Sequence, residues 1–188
     1  MPGRYACSTG IALLLWSCGA SQAHPEPPAA AQASQVTPAP PTPADALAVP
    51  AGSRSAFQAD AKGVQIYACR VDGADAKWVL SAPEAELFDA AGKLAIKHYA
   101  GPTWESVDGS RVTASKLSEQ AHEPGAIPWL LLRANEHAGQ GALTSVTFIQ
   151  RKDTQGGLAP ASGCDAAHGG DVARVPYSAV YVFYVPGG

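Results

Sequence analysis

The densest group of reactive side chains in this sequence lies between residues 98 and 108. His98, Tyr99, Trp104, Glu105 and Asp108 stand within eleven positions, around a Gly-Pro pair. An imidazole beside a carboxylate can transfer protons, and aromatic faces can stack on a sugar ring. This group of residues could therefore bind a ligand or catalyse a reaction. A structural interpretation is the third possibility, in which Tyr99 and Trp104 belong to the core while His98 and Glu105 face solvent.

A second polar group lies at Gln150 and Arg151, shortly before the pair Gly156-Gly157. An arginine beside a glycine turn can bind a carboxylate through two parallel hydrogen bonds, or it can donate to loop carbonyl groups instead. The candidate binding residues are therefore His98, Tyr99, Trp104, Glu105, Asp108, Gln150 and Arg151.

The motif pattern favours a non-catalytic protein without a cofactor. No helix is predicted after Gly139-Gln140-Gly141, so it does not match a dinucleotide-binding loop. The sequence contains neither a Gly-x-Ser-x-Gly nor a His-Glu-x-x-His motif. We expect a binding or structural protein of the cell envelope, whose partner is a small molecule, a glycan or another envelope component. The alternative is a small hydrolase or lyase that uses His98 with Glu105 or Asp108.

Two of the four cysteines, Cys69 and Cys164, belong to the region predicted to fold. An even pair of cysteines in an exported domain most simply forms a disulfide. Cys164 and His168 could instead begin a metal site. A copper centre needs a second histidine and usually a methionine, and the only methionine is Met1. We therefore expect a Cys69–Cys164 disulfide and no metal.

Residues 1–23 have the pattern of a secretory signal peptide. Their apolar run, residues 11–16, is too short to span a membrane. Cleavage after Ala23 would release a protein into the periplasm or the extracellular space. Alternatively, a lipoprotein signal ends at Ser17 and leaves a lipidated Cys18, which would make the protein an outer-membrane lipoprotein. No membrane contact is expected except through this lipid anchor.

Residues 24–50 have the composition of a disordered linker. Sixteen of these 27 residues are proline or alanine, and none is Phe, Tyr or Trp. Such a segment cannot bury enough apolar surface to offset the entropy lost on ordering it. Extended at about 3.1 Å per residue, the chain from Cys18 to Pro50 could hold a lipid-anchored domain up to roughly 100 Å from a bilayer.

Residues 51–188 are predicted to form one all-β domain. Short apolar runs separated by Gly, Pro and Asp recur, and no window keeps the spacing of an amphipathic helix beyond two turns. Asp108-Gly109 is typical of a type I′ hairpin turn, and residues 152–176 form the longest predicted connection. We expect an antiparallel β-sandwich, with a small closed β-barrel as the alternative. The net charge of −3 argues against a nucleic-acid partner.

Five blocks of the folded region carry a resemblance to a known family. They are Gly63-Val64-Gln65-Ile66-Tyr67-x-Cys69, His98-Tyr99-x-Gly101-Pro102-x-Trp104, Ile127-Pro128-Trp129-Leu130-Leu131, residues 149–164 and residues 175–184. In order and spacing they resemble domain-of-unknown-function family 3455 (DUF3455) of bacteria and fungi, over about residues 49–185. The resemblance implies export behind a signal peptide and favours pairing of Cys69 with Cys164. It implies no established activity. Some members carry a dehydrogenase label, but this sequence has no motif that could bind a nicotinamide cofactor.

Overall fold

The region with alternating apolar and polar residues folds into eight antiparallel strands. The computed structural model describes residues 45–188, so the predicted signal peptide, Cys18 and the linker up to residue 44 lie outside the described residues. The elements in chain order are a 3-10 helix at Asp45–Leu47, then β1 Ser53–Asp72, β2 Asp75–Phe88, β3 Leu94–Tyr99, β4 Thr103–Ser106, β5 Arg111–Gln120, β6 Trp129–Ala138, β7 Phe148–Gly156 and β8 Val172–Pro186.

Each strand pairs with the next one along the chain, and the last strand pairs with the first. Ala59 of β1 lies opposite Tyr181 of β8, which closes the sheet into a single barrel. The prediction of one all-β antiparallel domain is confirmed. Of the two arrangements expected from the sequence, the hydrogen-bonded ring corresponds to the small closed barrel.

The barrel interior combines large side chains from some strands with small ones from others. Trp104, Tyr181 and Phe183 are among the largest fully buried side chains. Small residues such as Gly63 and Ala85 face them from β1 and β2. A Cβ atom at residue 63 would overlap the backbone of the neighbouring strand β2, so a glycine is required at this crossing.

Two local predictions differ from the structure. Gly109 has a positive φ of 87°, but Asp108 does not, so the turn between β4 and β5 is not of type I′. The long connection is also shorter than predicted, because β7 continues to Gly156 and β8 begins at Val172. A bulge next to Asp153, which has a φ of 51°, lets β7 continue past the point where its pattern ends.

The expected disulfide is confirmed. Cys69 of β1 bonds to Cys164 in the β7–β8 connection, with 5.3 Å between the two Cα atoms. The indole nitrogen of Trp78 donates to the Ser162 carbonyl oxygen at 2.9 Å, and the Cys69 backbone nitrogen donates to the Asp171 carbonyl oxygen at 2.8 Å. The longest loop is therefore fixed to the barrel wall.

Residues 45–50, which the sequence assigns to the linker, lie against the barrel and are called here the N-terminal segment. The Ser118 hydroxyl donates to the Ala46 carbonyl oxygen, and the Gln150 amide donates to the Leu47 carbonyl oxygen at 2.7 Å. Within residues 45–188, no helix has the length and apolar character needed to cross a membrane.

Candidate functional site

His98 and Trp104 stack on each other inside the barrel. The residues face each other across β3 and β4, and their ring centroids are 4.2 Å apart. Tyr181 of β8 meets the His98 ring edge-on at 5.4 Å. The His98 Nδ1 atom donates to the Thr103 carbonyl oxygen at 2.9 Å, and burial lowers the pKa of His98 to about 4. The imidazole is therefore neutral at neutral pH.

The interior is polar as well as aromatic. The Tyr177 and Tyr181 hydroxyls are 3.4 Å apart. The side-chain amide of Gln65 is 1% exposed, and neither of its polar atoms has a hydrogen-bond partner among the described residues. The Trp104 indole nitrogen is likewise unpartnered within residues 45–188. Buried polar groups normally have partners, so this layer is unusual for a small barrel.

Strand alternation separates the remaining members of the 98–108 cluster from His98. Tyr99 and Glu105 point to the outer face, where the Tyr99 hydroxyl donates to the Glu105 carboxylate at 2.5 Å. This hydrogen bond raises the pKa of Tyr99. Because His98 and Glu105 lie on opposite faces of the sheet, they do not form a proton-transfer pair.

Asp108 is held in the turn between β4 and β5. Its carboxylate accepts hydrogen bonds from the Ser110 hydroxyl at 2.6 Å and from the Ala142 backbone nitrogen at 2.7 Å. These hydrogen bonds, that of Ser110 first, keep the pKa of Asp108 well below its usual range. Asp108 thus connects the β4–β5 turn to the β6–β7 loop at one end of the barrel. This structural role accounts for its hydrogen bonds.

Arg151 of β7 is a buried cation that contacts no carboxylate of the described residues. Its side chain is 9% exposed, and its Nε and Nη2 atoms donate to the Pro128 carbonyl oxygen at 3.2 and 2.7 Å. Tyr181 lies opposite it on β8. The ion pairs among the described residues do not include Arg151. Of the two roles that the sequence allows for Arg151, the structure therefore shows donation to a loop carbonyl group.

A cavity of about 410 Å³ opens beside Arg151, where β5, β6 and β7 meet; we call it the Trp129 pocket. Its polar and aromatic lining consists of Gln120, His122, Trp129, Gln150, Arg151 and Lys152. Leu47 and Ala48 of the N-terminal segment form one wall. Of the predicted site residues, Gln150 and Arg151 line this pocket, whereas the His98 cluster does not.

Trp129 and His122 form the aromatic wall of the Trp129 pocket. Their rings stack with centroids 3.9 Å apart and planes 5° from parallel. The Trp129 indole nitrogen is buried and has no hydrogen-bond partner in the described part of the chain. Neither residue was among the site candidates predicted from the sequence. The available signal was the block Ile127-Pro128-Trp129, which places a large aromatic residue at the start of a strand.

A second depression, of about 400 Å³, lies on the outer face of β1–β3 and includes Tyr99. Its charges are of both signs, and Arg174 is paired with Glu84 at 2.9 Å. No buried unpartnered group among the described residues lines it. The Trp129 pocket is therefore the stronger candidate site.

Comparison with known families identifies the barrel. The family described as "Protein of unknown function (DUF3455)" matches residues 50–185. The chain belongs to the DUF3455 family. The match covers all eight strands of the DUF3455 domain except the last residue of β8, and it confirms the resemblance noted in the sequence.

No curated protein and no solved structure matches this chain. All the lining residues of the Trp129 pocket except Leu47 and Ala48 belong to the matched DUF3455 region. Within residues 45–188 of the DUF3455 chain, no group of three His, Cys, Asp or Glu side chains is arranged to hold a metal ion.

Proposed function

We propose that this DUF3455 domain is a non-catalytic binding module of the cell envelope and that its Trp129 pocket holds a sugar. The observation that carries the proposal is the Trp129 indole nitrogen at a pocket wall, a buried donor without an acceptor among the described residues. A buried donor of this kind gains a full hydrogen bond when a ligand supplies an acceptor.

The size and lining of the Trp129 pocket suit a monosaccharide or one residue of a glycan. Small-molecule sites have volumes of roughly 300–1,000 Å³ and combine apolar walls with a few polar groups. The Trp129 pocket has a volume of about 410 Å³. Its aromatic wall can pack against the C–H groups of a sugar ring, while the Gln120 and Gln150 amides can bond to hydroxyl groups.

The surroundings of His98 give the alternative, a hydrolase or lyase, no support. His98 is stacked in the interior with Nδ1 bonded to a backbone carbonyl, and its pKa of about 4 removes it from proton transfer near neutral pH. Glu105 and Asp108 are each engaged elsewhere. A binding role requires none of these groups to react.

Export is part of the proposal, and the disulfide supports it. Disulfides such as Cys69–Cys164 persist in oxidising compartments and are rare in the cytosol. The proposed location is the periplasm or the extracellular space. In the alternative, lipidation of Cys18 would hold the domain at the outer membrane by its proline-rich linker.

The proposed function is tested by titrating six sugars into the ¹⁵N-labelled exported chain and following the indole N–H resonances. The panel is galactose, glucose and N-acetylglucosamine with their acidic counterparts galacturonate, glucuronate and N-acetylmuramate. At least one sugar should shift the Trp129 resonance, and the Trp129→Phe substitution should abolish that binding. The Trp78→Phe substitution is the matched control, because Trp78 lies at the disulfide loop. No shift of Trp129 with any of the six sugars would contradict the proposal.

A further inference from the structure

The Arg151 guanidinium is a cation enclosed in the barrel interior. Its strand neighbours Gln150 and Lys152 face outward, whereas the Arg151 side chain points inward and is 9% exposed. It donates to the Pro128 carbonyl oxygen and to the Tyr181 hydroxyl. A buried cation normally has an anion beside it, because desolvation of an unpaired charge is strongly unfavourable. Yet no aspartate or glutamate of the described chain is buried, so none of them supplies that anion.

The Tyr177 and Tyr181 hydroxyls do not supply the negative charge either. Burial raises the pKa of both hydroxyls, and the Arg151 charge offsets this effect only in part, so both stay protonated. The two oxygen atoms are 3.4 Å apart. Only one of the two protons can bond to the other hydroxyl oxygen, and the second has no acceptor within residues 45–188. The pair therefore adds a free donor beside Arg151.

The Gln65 side chain lies next to Tyr177 in the same part of the interior. A Cβ atom on Gly157 would be 2.9 Å from the Tyr177 Cβ atom and 3.3 Å from the Gln65 Cγ atom, so both side chains flank this glycine. Gln65 is 1% exposed, and its amide nitrogen has no hydrogen-bond partner in the described chain. Buried donors normally have acceptors, so an acceptor is expected here. We call these four residues the interior donor cluster: Gln65, Arg151, Tyr177 and Tyr181.

We infer that the interior donor cluster binds one small monovalent anion, chloride, inside the barrel. Chloride is spherical and accepts hydrogen bonds from several directions, so it can bond to the amide, the free hydroxyl proton and the guanidinium together. It also supplies the negative charge that Arg151 needs, which a water molecule would not. All four residues are at most 9% exposed, so a sugar or an organic acid is too large for this position. The site is independent of the proposed function.

The test is urea unfolding of the exported chain in mixtures of sodium chloride and sodium gluconate at constant ionic strength. A ligand that binds only the folded chain raises the equilibrium constant for folding in proportion to its concentration, once that exceeds its Kd. Each tenfold increase in chloride should therefore raise this constant about tenfold, and bromide should replace chloride. Gln65→Leu and Tyr177→Phe each remove one donor and should weaken the effect. Gln58→Leu, at an exposed position of the same strand β1, is the matched control and should keep it.

Bromide also locates the site directly, because its anomalous scattering identifies it in crystals grown without chloride. A bromide ion within hydrogen-bonding distance of the Arg151 guanidinium is expected. Bromide ions only on the protein surface would overturn the inference, and so would equal stability at every proportion of chloride. A chloride effect of the same size in Gln65→Leu, Tyr177→Phe and Gln58→Leu would overturn it as well. None of these measurements involves a sugar, so failure here leaves the proposed function standing, and the reverse also holds.

Discussion

Acidification is expected to destabilise the barrel through one buried histidine. His98 is 4% exposed, and burial lowers its pKa to about 4 from an ordinary value of 6.5. Between these values the unfolded chain binds a proton that the folded chain does not, so the free energy of unfolding decreases as the pH falls. Each pKa unit is worth about 1.4 kcal/mol, so a difference of about 2.5 units removes about 3 kcal/mol by pH 4.

The measurement is urea unfolding followed by circular dichroism at several pH values between about 7 and 4. We compare the parent chain with His98→Gln, which cannot be protonated. The variant is expected to be less stable at neutral pH, because it loses the stack on Trp104, but its stability should depend much less on pH. His122→Gln, at an exposed position, is the matched control and should keep the pH dependence of the parent.

Other titrating groups do not mask this effect. Asp165 raises the pKa of His168, and this exposed ion pair therefore stabilises the fold at low pH and loses its contribution as the pH rises. This pH dependence is opposite in sign to that of His98, and it is weak because both side chains are exposed. The lowered pKa of Asp108 matters only near and below its ordinary value of 3.8. If parent and His98→Gln lost the same free energy between pH 6.5 and 4, the account of His98 would be wrong.

Three further predictions concern stability and the N-terminal segment. Replacing Cys69 and Cys164 together by alanine should lower the free energy of unfolding by about 4.5 kcal/mol, as expected for a loop of this length, and an unchanged urea midpoint would contradict it. Gly63→Ala should lower the free energy of unfolding by about 1–3 kcal/mol, because the added methyl group overlaps strand β2. A variant with the melting temperature of the parent chain would contradict this prediction and show that strands β1 and β2 move apart at no cost. Gln150→Ala should speed hydrogen exchange in residues 46–49, because it removes the bond to Leu47; unchanged exchange would mean that other contacts fix the segment.

The strands could be predicted from the sequence because each leaves a local pattern, but the closure of the sheet could not. Alternation and turn residues located the hairpins, including the one around Gly109. Closure depends on pairing of Ala59 with Tyr181, which are 122 positions apart, and no local pattern encodes that pairing. The turn type at Asp108 could not be predicted for a related reason, because the Asp108 carboxylate accepts a hydrogen bond from the distant Ala142 backbone nitrogen.

The candidate site shows the same division between local and long-range information. Residues 98–108 looked like one cluster because they are close in sequence, but the two-residue period of a strand sends Trp104 inward and Glu105 outward. The Trp129 pocket instead combines residues from three strands and the N-terminal segment, and their convergence follows from the register of β5, β6 and β7. Only Gln150 and Arg151 were identifiable, because a polar pair at a strand end is visible locally.

The contact between a sugar and the Trp129 ring is the central claim, and nuclear Overhauser effects measure it directly. The experiment uses the Trp78→Phe chain with the tightest-binding sugar of the panel. Cross-peaks between the sugar ring protons and the Trp129 indole protons are predicted. Cross-peaks only to residues outside the Trp129 pocket would contradict the account.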